Sequence, residues 1–293
     1  MEGSLTQVET RRIDANGLGF TVDEAGTGED VALLLHGFPE CRFAWRHQLP
    51  LLADLGWRAI APDLRGYGLS SRPPATADYR LDHLIEDVAA LFEATGAGRR
   101  LLIGHDWGGV IAWAFAMRRR LPLDGLVIMN APHPLVFAEV MRRSPRQWLR
   151  SWYIAFFQLP WLPEALMRAG GAWRIGEAFT AMAVDESRFP PEVTEVYRQG
   201  ALIPGALTAM INYYRANIGA LGELGDAPPI EIPTLLVWGE ADKALGIECT
   251  HGYEPYVCDL TLRRLPGVSH WVQQEAPERV NQMLEGWLKE RPG

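Results

Sequence analysis

Lysine is almost missing from this sequence. Only Lys243 and Lys289 occur among 293 residues, and arginine supplies the rest of the 28 basic side chains, against 36 acidic ones. The resulting formal charge of −8 opposes nonspecific binding to nucleic acid or to an anionic membrane, both of which need a basic surface. The arginine bias itself reads as genome composition. Cysteine is equally scarce: Cys41, Cys249 and Cys258 form neither a disulfide framework nor a metal-ligand spacing, and buried thiols are expected. No apolar run is long enough to cross a bilayer, and Met1 to Asp14 is too polar for a signal peptide, so a cytoplasmic chain is expected. No metal cluster, phosphate-binding glycine loop or cofactor motif occurs, and no cofactor is expected.

What remains is an ordinary globular balance, 48% hydrophobic and 22% charged, on a length that suits one α/β domain with an insertion. Short apolar runs alternate with helical patterns, which is the signature of βαβ units on a mostly parallel sheet. The expected strands are Val31 to Leu35, Arg58 to Ala61, Leu101 to Gly104, Leu126 to Met129, Thr234 to Trp238 and Leu260 to Leu265. Before them, Arg11 to Ile13 and Phe20 to Val22 flank Asn16-Gly17, a hairpin turn signal that predicts an antiparallel pair at the sheet edge. Helices are expected at Phe43 to Leu55, Leu81 to Ala94, Val110 to Arg119 and Pro277 to Leu288. From 135 to 221 the strands stop and aromatic residues gather in a helical pattern, with Trp148, Trp152 and Phe156 recurring every fourth residue on one helix face. That face either packs the insertion onto the main domain or roofs an apolar pocket, and both can hold. The expected division is a core of residues 1–134 and 222–293 with a helical cap of residues 135–221.

The richest stretch chemically is Leu101-Leu102-Ile103-Gly104-His105-Asp106-Trp107-Gly108-Gly109, a strand running into a helix through small residues with one reactive side chain at the corner. That is the layout of a nucleophile elbow, here carrying a carboxylate instead of a hydroxyl. A carboxylate displaces at an electrophilic carbon and becomes an alkyl ester, whereas acyl transfer would require an unstable mixed anhydride. Capping the following helix is the other role open to Asp106. Upstream, Leu35-His36-Gly37-Phe38-Pro39-Glu40 ends another strand, and the backbone N–H groups of Phe38 and Trp107 are the natural oxyanion-hole donors, since Pro39 has none. His36 and His105 read as structural histidines. Downstream, Trp238-Gly239-Glu240-Ala241-Asp242 and Ser269-His270-Trp271 complete the order nucleophile, acid, histidine. Asp242 is preferred as the acid that orients His270, with Glu240 its rival, and the loop after Met129 offers Asn130 in place of a carboxylate.

With these motifs and Asp63-Leu64-Arg65-Gly66-Tyr67-Gly68, the chain resembles the epoxide hydrolases of the α/β-hydrolase superfamily along nearly its whole length. The resemblance implies an α/β-hydrolase fold with a helical lid and a two-step hydrolysis. Asp106 attacks an epoxide carbon, and water activated by His270 then cleaves the ester. It also implies two lid tyrosines acting as acids toward the epoxide oxygen. Trp152-Tyr153-Ile154-Ala155-Phe156-Phe157 selects Tyr153, and Ile211-Asn212-Tyr213-Tyr214-Arg215 favours Tyr214 over Tyr213, since adjacent helical residues point about 100° apart. Phe38, Trp107, Trp152, Phe156, Phe157 and Trp271 are the expected pocket lining. The expected partners are a small apolar epoxide and water, with the oligomeric state open. The nearest rival, a haloalkane or fluoroacetate dehalogenase, typically carries Asn where this chain has Phe38, or arginines where it has Trp107 and Val110. A noncatalytic binding protein on the same scaffold would have no need of the whole residue set.

Overall fold

Three strands are buried from end to end: β3 (Val31–Leu35), β6 (Gly125–Met129) and β7 (Thr234–Gly239). Continuous burial means that the sheet is covered on both faces, which is where parallel strands belong. The computed structural model describes residues 7–219 and 227–291. Its eight strands also include β1 (Glu9–Ala15), β2 (Leu18–Ala25), β4 (Arg58–Pro62), β5 (Arg100–His105) and β8 (Leu260–Leu265), in the order β1-β2-β4-β3-β5-β6-β7-β8. β3 to β8 run parallel, while β1 and β2 form the expected antiparallel hairpin at one edge. The positive φ of Asn16 (49°) and Gly17 (70°) supplies the turn that the sequence pair predicted.

Side chains of alternate strand residues enter two different cores. Leu33, Leu35, Leu102 and Ile128 face α2 (Leu81–Thr95) and α3 (Trp107–Met117). Ala32, Leu34, Ile103 and Val127 face α1 (Gln48–Asp54) and α11 (Pro277–Lys289). The expected helix from Phe43 to Leu55 is instead a 3₁₀ turn, Arg42–Trp45, followed by α1. Pro50, which donates no backbone hydrogen bond, is tolerated only in the first helical turn, so the α-helix starts just before it.

Between β6 and β7 the described chain forms α4 (Pro134–Arg143), α5 (Pro145–Arg150), α6 (Trp152–Phe156), α7 (Leu162–Met182, kinked at Ala169–Ala172), α8 (Pro191–Leu202) and α9 (Ala206–Asn217). The expected cap boundary at 221/222 lies outside the described residues. The single helix face expected for Trp148, Trp152 and Phe156 is broken, because the helix restarts at Ser151. Trp148 ends on α5, its Nε1–H donating to Met141 O at 2.6 Å, while Trp152 and Phe156 stay together on α6. Of the three cysteines, Cys41 and Cys249 are buried, but Cys258 is exposed, contrary to expectation. It lies just before the edge strand β8, which only β7 covers. No helix among the described residues is long and apolar enough to cross a membrane.

Because β3, β5, β7 and β8 are parallel, the loops after their C-terminal ends all open on one edge of the sheet. Those four loops carry Phe38, Asp106, Asp242 and His270.

Candidate active site

Asp106 is the single residue between β5 and α3, and its backbone has φ 50° and ψ −119°. A side chain held there is strained, and such strain persists only where the surroundings fix it. They do so by close packing: a Cβ on Gly108 would lie 2.0 Å from Leu35 O, so glycine is what lets α3 sit against the end of β3. The carboxylate is thereby turned into a cavity. Its Oδ1 accepts the Phe38 N–H at 2.8 Å, and its Oδ2 lies 3.6 Å from His270 Nε2. Burial alone would raise its pKa, but His270, His105 and the Phe38 N–H outweigh that and keep it below the ordinary carboxylate range.

His270 Nδ1 lies 2.6 Å from Asp242 Oδ2. A carboxylate there selects the tautomer whose Nδ1–H donates, which leaves Nε2 facing Asp106. Asp242 is itself fixed: Oδ1 accepts the N–H groups of Ala244 (2.7 Å) and Leu245 (2.9 Å), and Oδ2 accepts Asn130 Nδ2–H (2.8 Å). Burial opposes its charge, yet His270 and these donors hold its pKa down. Burial likewise opposes a charge on His270, but the two carboxylates win and its pKa is pushed up to about 10. Glu240 is exposed and takes no part, and Asn130 serves as a brace for Asp242.

The adjacent tyrosines diverge as helical geometry predicts. Tyr213 is fully buried and its hydroxyl donates to Arg65 O at 2.8 Å, whereas Tyr214 borders the cavity with Asp106. Tyr153, from α6, meets Tyr214 edge to face with ring centroids 5.8 Å apart. Burial, reinforced by the nearby Asp106 charge, raises both phenol pKa values, so both remain protonated donors at neutral pH. The cavity has two lobes, of about 390 and 570 Å³, which share Asp106, Trp152, Tyr153 and Tyr214. All six aromatic residues expected to line the pocket border it: Trp107 the smaller lobe, Phe38, Phe156, Phe157 and Trp271 the larger, and Trp152 both.

His36 is structural, as expected: its Nδ1–H donates to Gly37 O at 2.9 Å and its Nε2 accepts Leu64 N–H at 3.1 Å. His105 does more than the sequence suggested. Its Nδ1 lies 2.8 Å from Glu40 Oε2 and its Nε2 2.9 Å from His270 O, so both ring nitrogens face acceptors. Glu40 is completely enclosed by donors: it also accepts Gly37 N–H at 3.0 Å, Gln273 Nε2–H at 2.8 Å and Gln274 Nε2–H at 2.7 Å. This buried pair ties the Phe38 loop, β5 and the His270 loop together. A second buried carboxylate, Glu275, accepts the N–H groups of Val184 and Asp185 on one oxygen and that of Ser269 on the other. Glu40 stood in a recognised motif, but nothing in the spacing marked its partners, and Glu275 carried no signal at all.

Comparison with known proteins agrees with this architecture. Residues 31–277 match the family described as alpha/beta hydrolase fold. The chain is 37% identical over 284 residues to AB hydrolase superfamily protein YfhM of Bacillus subtilis (strain 168), covering 96% of this chain and 98% of that protein. It is 39% identical over 285 residues to Epoxide hydrolase 4 of Homo sapiens, covering 95% of this chain and 78% of the relative. Among solved structures, an epoxide hydrolase of Bacillus megaterium in complex with an inhibitor superposes with a TM-score of 0.88 at 29% identity, over 95% of this chain and 100% of that one. A carboxylate at the elbow, a histidine braced behind it and relatives of this identity along almost the full length make the chain a member of the alpha/beta hydrolase fold family, within its epoxide hydrolase branch.

Proposed function

We propose that the protein hydrolyses epoxides to vicinal diols in two steps, with Asp106 as nucleophile, His270 as base and Asp242 as its orienting acid. The observation that carries this reading is the convergence on one apolar cavity of a strained carboxylate, a histidine–carboxylate pair and two phenols. The Asp106 oxygen bonded to Phe38 N–H is engaged, so the other, Oδ2, attacks a ring carbon as the C–O bond breaks. Negative charge builds on the epoxide oxygen, where Tyr153 and Tyr214 donate hydrogen bonds or a proton. The product of this step is an alkyl ester of Asp106. Its carbonyl oxygen is Oδ1, already placed on the Phe38 N–H.

In the second step His270 Nε2 takes a proton from water, which attacks the ester carbonyl. The Phe38 and Trp107 N–H groups receive the oxyanion, and as the tetrahedral species collapses the proton held by His270 passes to the departing diol oxygen, which releases the diol and restores Asp106. Alkylation also switches the base on. While Asp106 is charged it helps to hold a proton on His270, and esterification removes that charge. In the same reading, the described helices between β6 and β7 form a lid whose α6 and α9 bring the two phenols over the nucleophile.

The test is a single turnover of styrene oxide in heavy-oxygen water. The first diol should carry an unlabelled oxygen from the Asp106 carboxylate, with label appearing in the enzyme. Label entering the first diol directly would overturn the covalent route.

A further inference from the structure

The helix α6 has five residues, Trp152–Phe156, too few to be stable by itself, so the position of Tyr153 depends on what holds its two ends. The Tyr153 ring meets Phe157 and Tyr214 edge to face, at centroid distances of 6.0 and 5.8 Å, and such contacts locate a ring without anchoring its hydroxyl. The anchoring is polar. After α6, the Phe157 and Leu159 carbonyls accept the Arg215 guanidinium at 2.9 and 2.6 Å, and Arg215 adjoins Tyr214 on α9. Before α6, the holding residue is Gln147.

Gln147 is fully buried on α5, and both nitrogen and oxygen of its side-chain amide are engaged. Its two Nε2–H groups donate to Ser151 Oγ at 3.0 Å and Ala244 O at 2.8 Å, while Oε1 accepts Gly246 N–H at 2.9 Å. Ser151, which joins α5 to α6, is gripped a second time, its N–H donating to Gln147 O at 2.9 Å. On the other side the amide binds the carbonyl of one residue and the N–H of the residue two further on, as a residue of a parallel strand would. That stretch follows Asp242, whose Oδ1 accepts the Ala244 N–H, so Ala244 is held by Asp242 through its N–H and by Gln147 through its carbonyl. One uncharged side chain thus joins the start of the Tyr153 helix to the loop of the acid. Gln147 itself lines neither lobe of the cavity.

We infer that Gln147 is a positioning residue for both chemical steps, setting Tyr153 for ring opening and the Asp242 loop for the action of His270. The inference rests on the epoxide-hydrolysing reading of the same site and adds to it the residue that keeps phenol and acid in register.

Gln147→Met retains most of the volume and deletes all three side-chain hydrogen bonds. With styrene oxide, stopped-flow measurement reads alkylation, and quenched single turnovers followed by mass spectrometry read decay of the ester. Misplacing a reacting group by about 1 Å costs roughly 10²-fold, so alkylation at saturating substrate should slow by about 10- to 100-fold while the half-saturating concentration stays within about threefold. Ester decay should slow by roughly 2- to 10-fold, the worth of a hydrogen bond lost at the Asp242 loop. A double-mutant cycle separates positioning from general loosening. Once Tyr153→Phe has removed the hydroxyl, Gln147→Met has no phenol donor left to misplace there, so alkylation should change by less than about twofold in that background while ester decay still slows. The burst amplitude counts folded enzyme, so a variant that folds poorly leaves its rate constants readable. Gln147→Asn, whose amide falls one methylene short of its partners, gives the same comparison with a polar side chain. An unchanged alkylation rate in both Gln147 variants, an equal loss with and without the Tyr153 hydroxyl, or unchanged ester decay would overturn the inference. Failure of styrene oxide to alkylate even the unmodified protein would instead remove the parent reading, and the inference with it.

Discussion

Asp106→Asn replaces one of the two carboxylates that bracket His270 with a neutral group of nearly the same shape. In the folded protein burial works against the imidazolium, but Asp242 and Asp106 together push the His270 pKa up to about 10. His270 Nε2 lies 3.6 Å from Asp106 Oδ2. At an effective dielectric of about 20, unit charges at that separation interact by 332/(20 × 3.6), about 4.6 kcal/mol, which corresponds to roughly 3 pKa units. Solvent in the open cavity and reorientation of the new amide reduce this, so a fall of about 1 to 3 units is expected. Nitrogen-15 NMR of labelled histidine would read it directly, with His270→Gln identifying the resonance. A raised histidine pKa adds stability that is fully present below the unfolded value of 6.5 and is lost as pH rises through the folded value near 10. Denaturant midpoints should therefore decline between these limits in the unmodified protein, and at lower pH in Asp106→Asn. If His270 titrates within about half a unit in the two proteins, the charge coupling that switches the base on is absent and that step of the mechanism fails.

His270→Gln should still undergo alkylation but not release product, so mass spectrometry after styrene oxide treatment should show the enzyme heavier by one substrate; steady turnover in this variant would reject His270 as the base. Tyr153→Phe and Tyr214→Phe should each slow alkylation by on the order of 10²-fold, about 3 kcal/mol if a phenol resembles an oxyanion-hole donor, and stopped-flow measurement should find the double variant nearly inactive. Tyr213→Phe instead deletes the hydrogen bond to Arg65 O, and should lower stability by about 1 kcal/mol while leaving the alkylation rate close to that of the unmodified enzyme. Gly108→Ala places a methyl group 2.0 Å from Leu35 O, and should destabilise by roughly 1–3 kcal/mol or more in denaturant titration; an unchanged midpoint would show that the elbow is less tightly packed than described.

The six parallel strands were legible to within a residue at each end because each is a short apolar run between turn residues, and two, Val31–Leu35 and Leu260–Leu265, were bounded correctly, whereas the hairpin strands extend two or three residues beyond the expected ends. Period-two burial into two cores adds nothing contradictory to such runs. The region 135–221 was harder. Its helical character was plain, but the division of Trp148 from Trp152 at Ser151 depends on where one helix is capped and the next begins. The side chain of Ser144 accepts Gln147 N–H and starts α5, so the register of the aromatic repeat is interrupted after two turns. Fourfold spacing cannot reveal such a break.

The site divides along the same line between local and distributed information. Asp106, Asp242 and His270 were recognisable because each sits just beyond a strand end, where a parallel sheet collects its loops. The groups that hold them in place follow no such rule. Glu40 reaches His105, Gln273 and Gln274, residues separated from it by 65, 233 and 234 positions. Gln274 in turn accepts the Tyr197 hydroxyl at 2.6 Å, which joins α8 to the same network. Glu275, the next residue, grips the Val184 and Asp185 N–H groups just after α7 and the Ser269 N–H beside His270. Two consecutive residues of the short helix α10 (Val272–Glu275) therefore connect the segments around α7 and α8 to His270, and a displacement of α7 or α8 would bear directly on the loop that carries it. A buried carboxylate enclosed by donors holds its geometry only while every donor is present, since each one lost leaves charge that burial penalises. Asp106, His270 and the helices between β6 and β7 are coupled through Glu40 and Glu275, and that coupling exists only after the chain has folded.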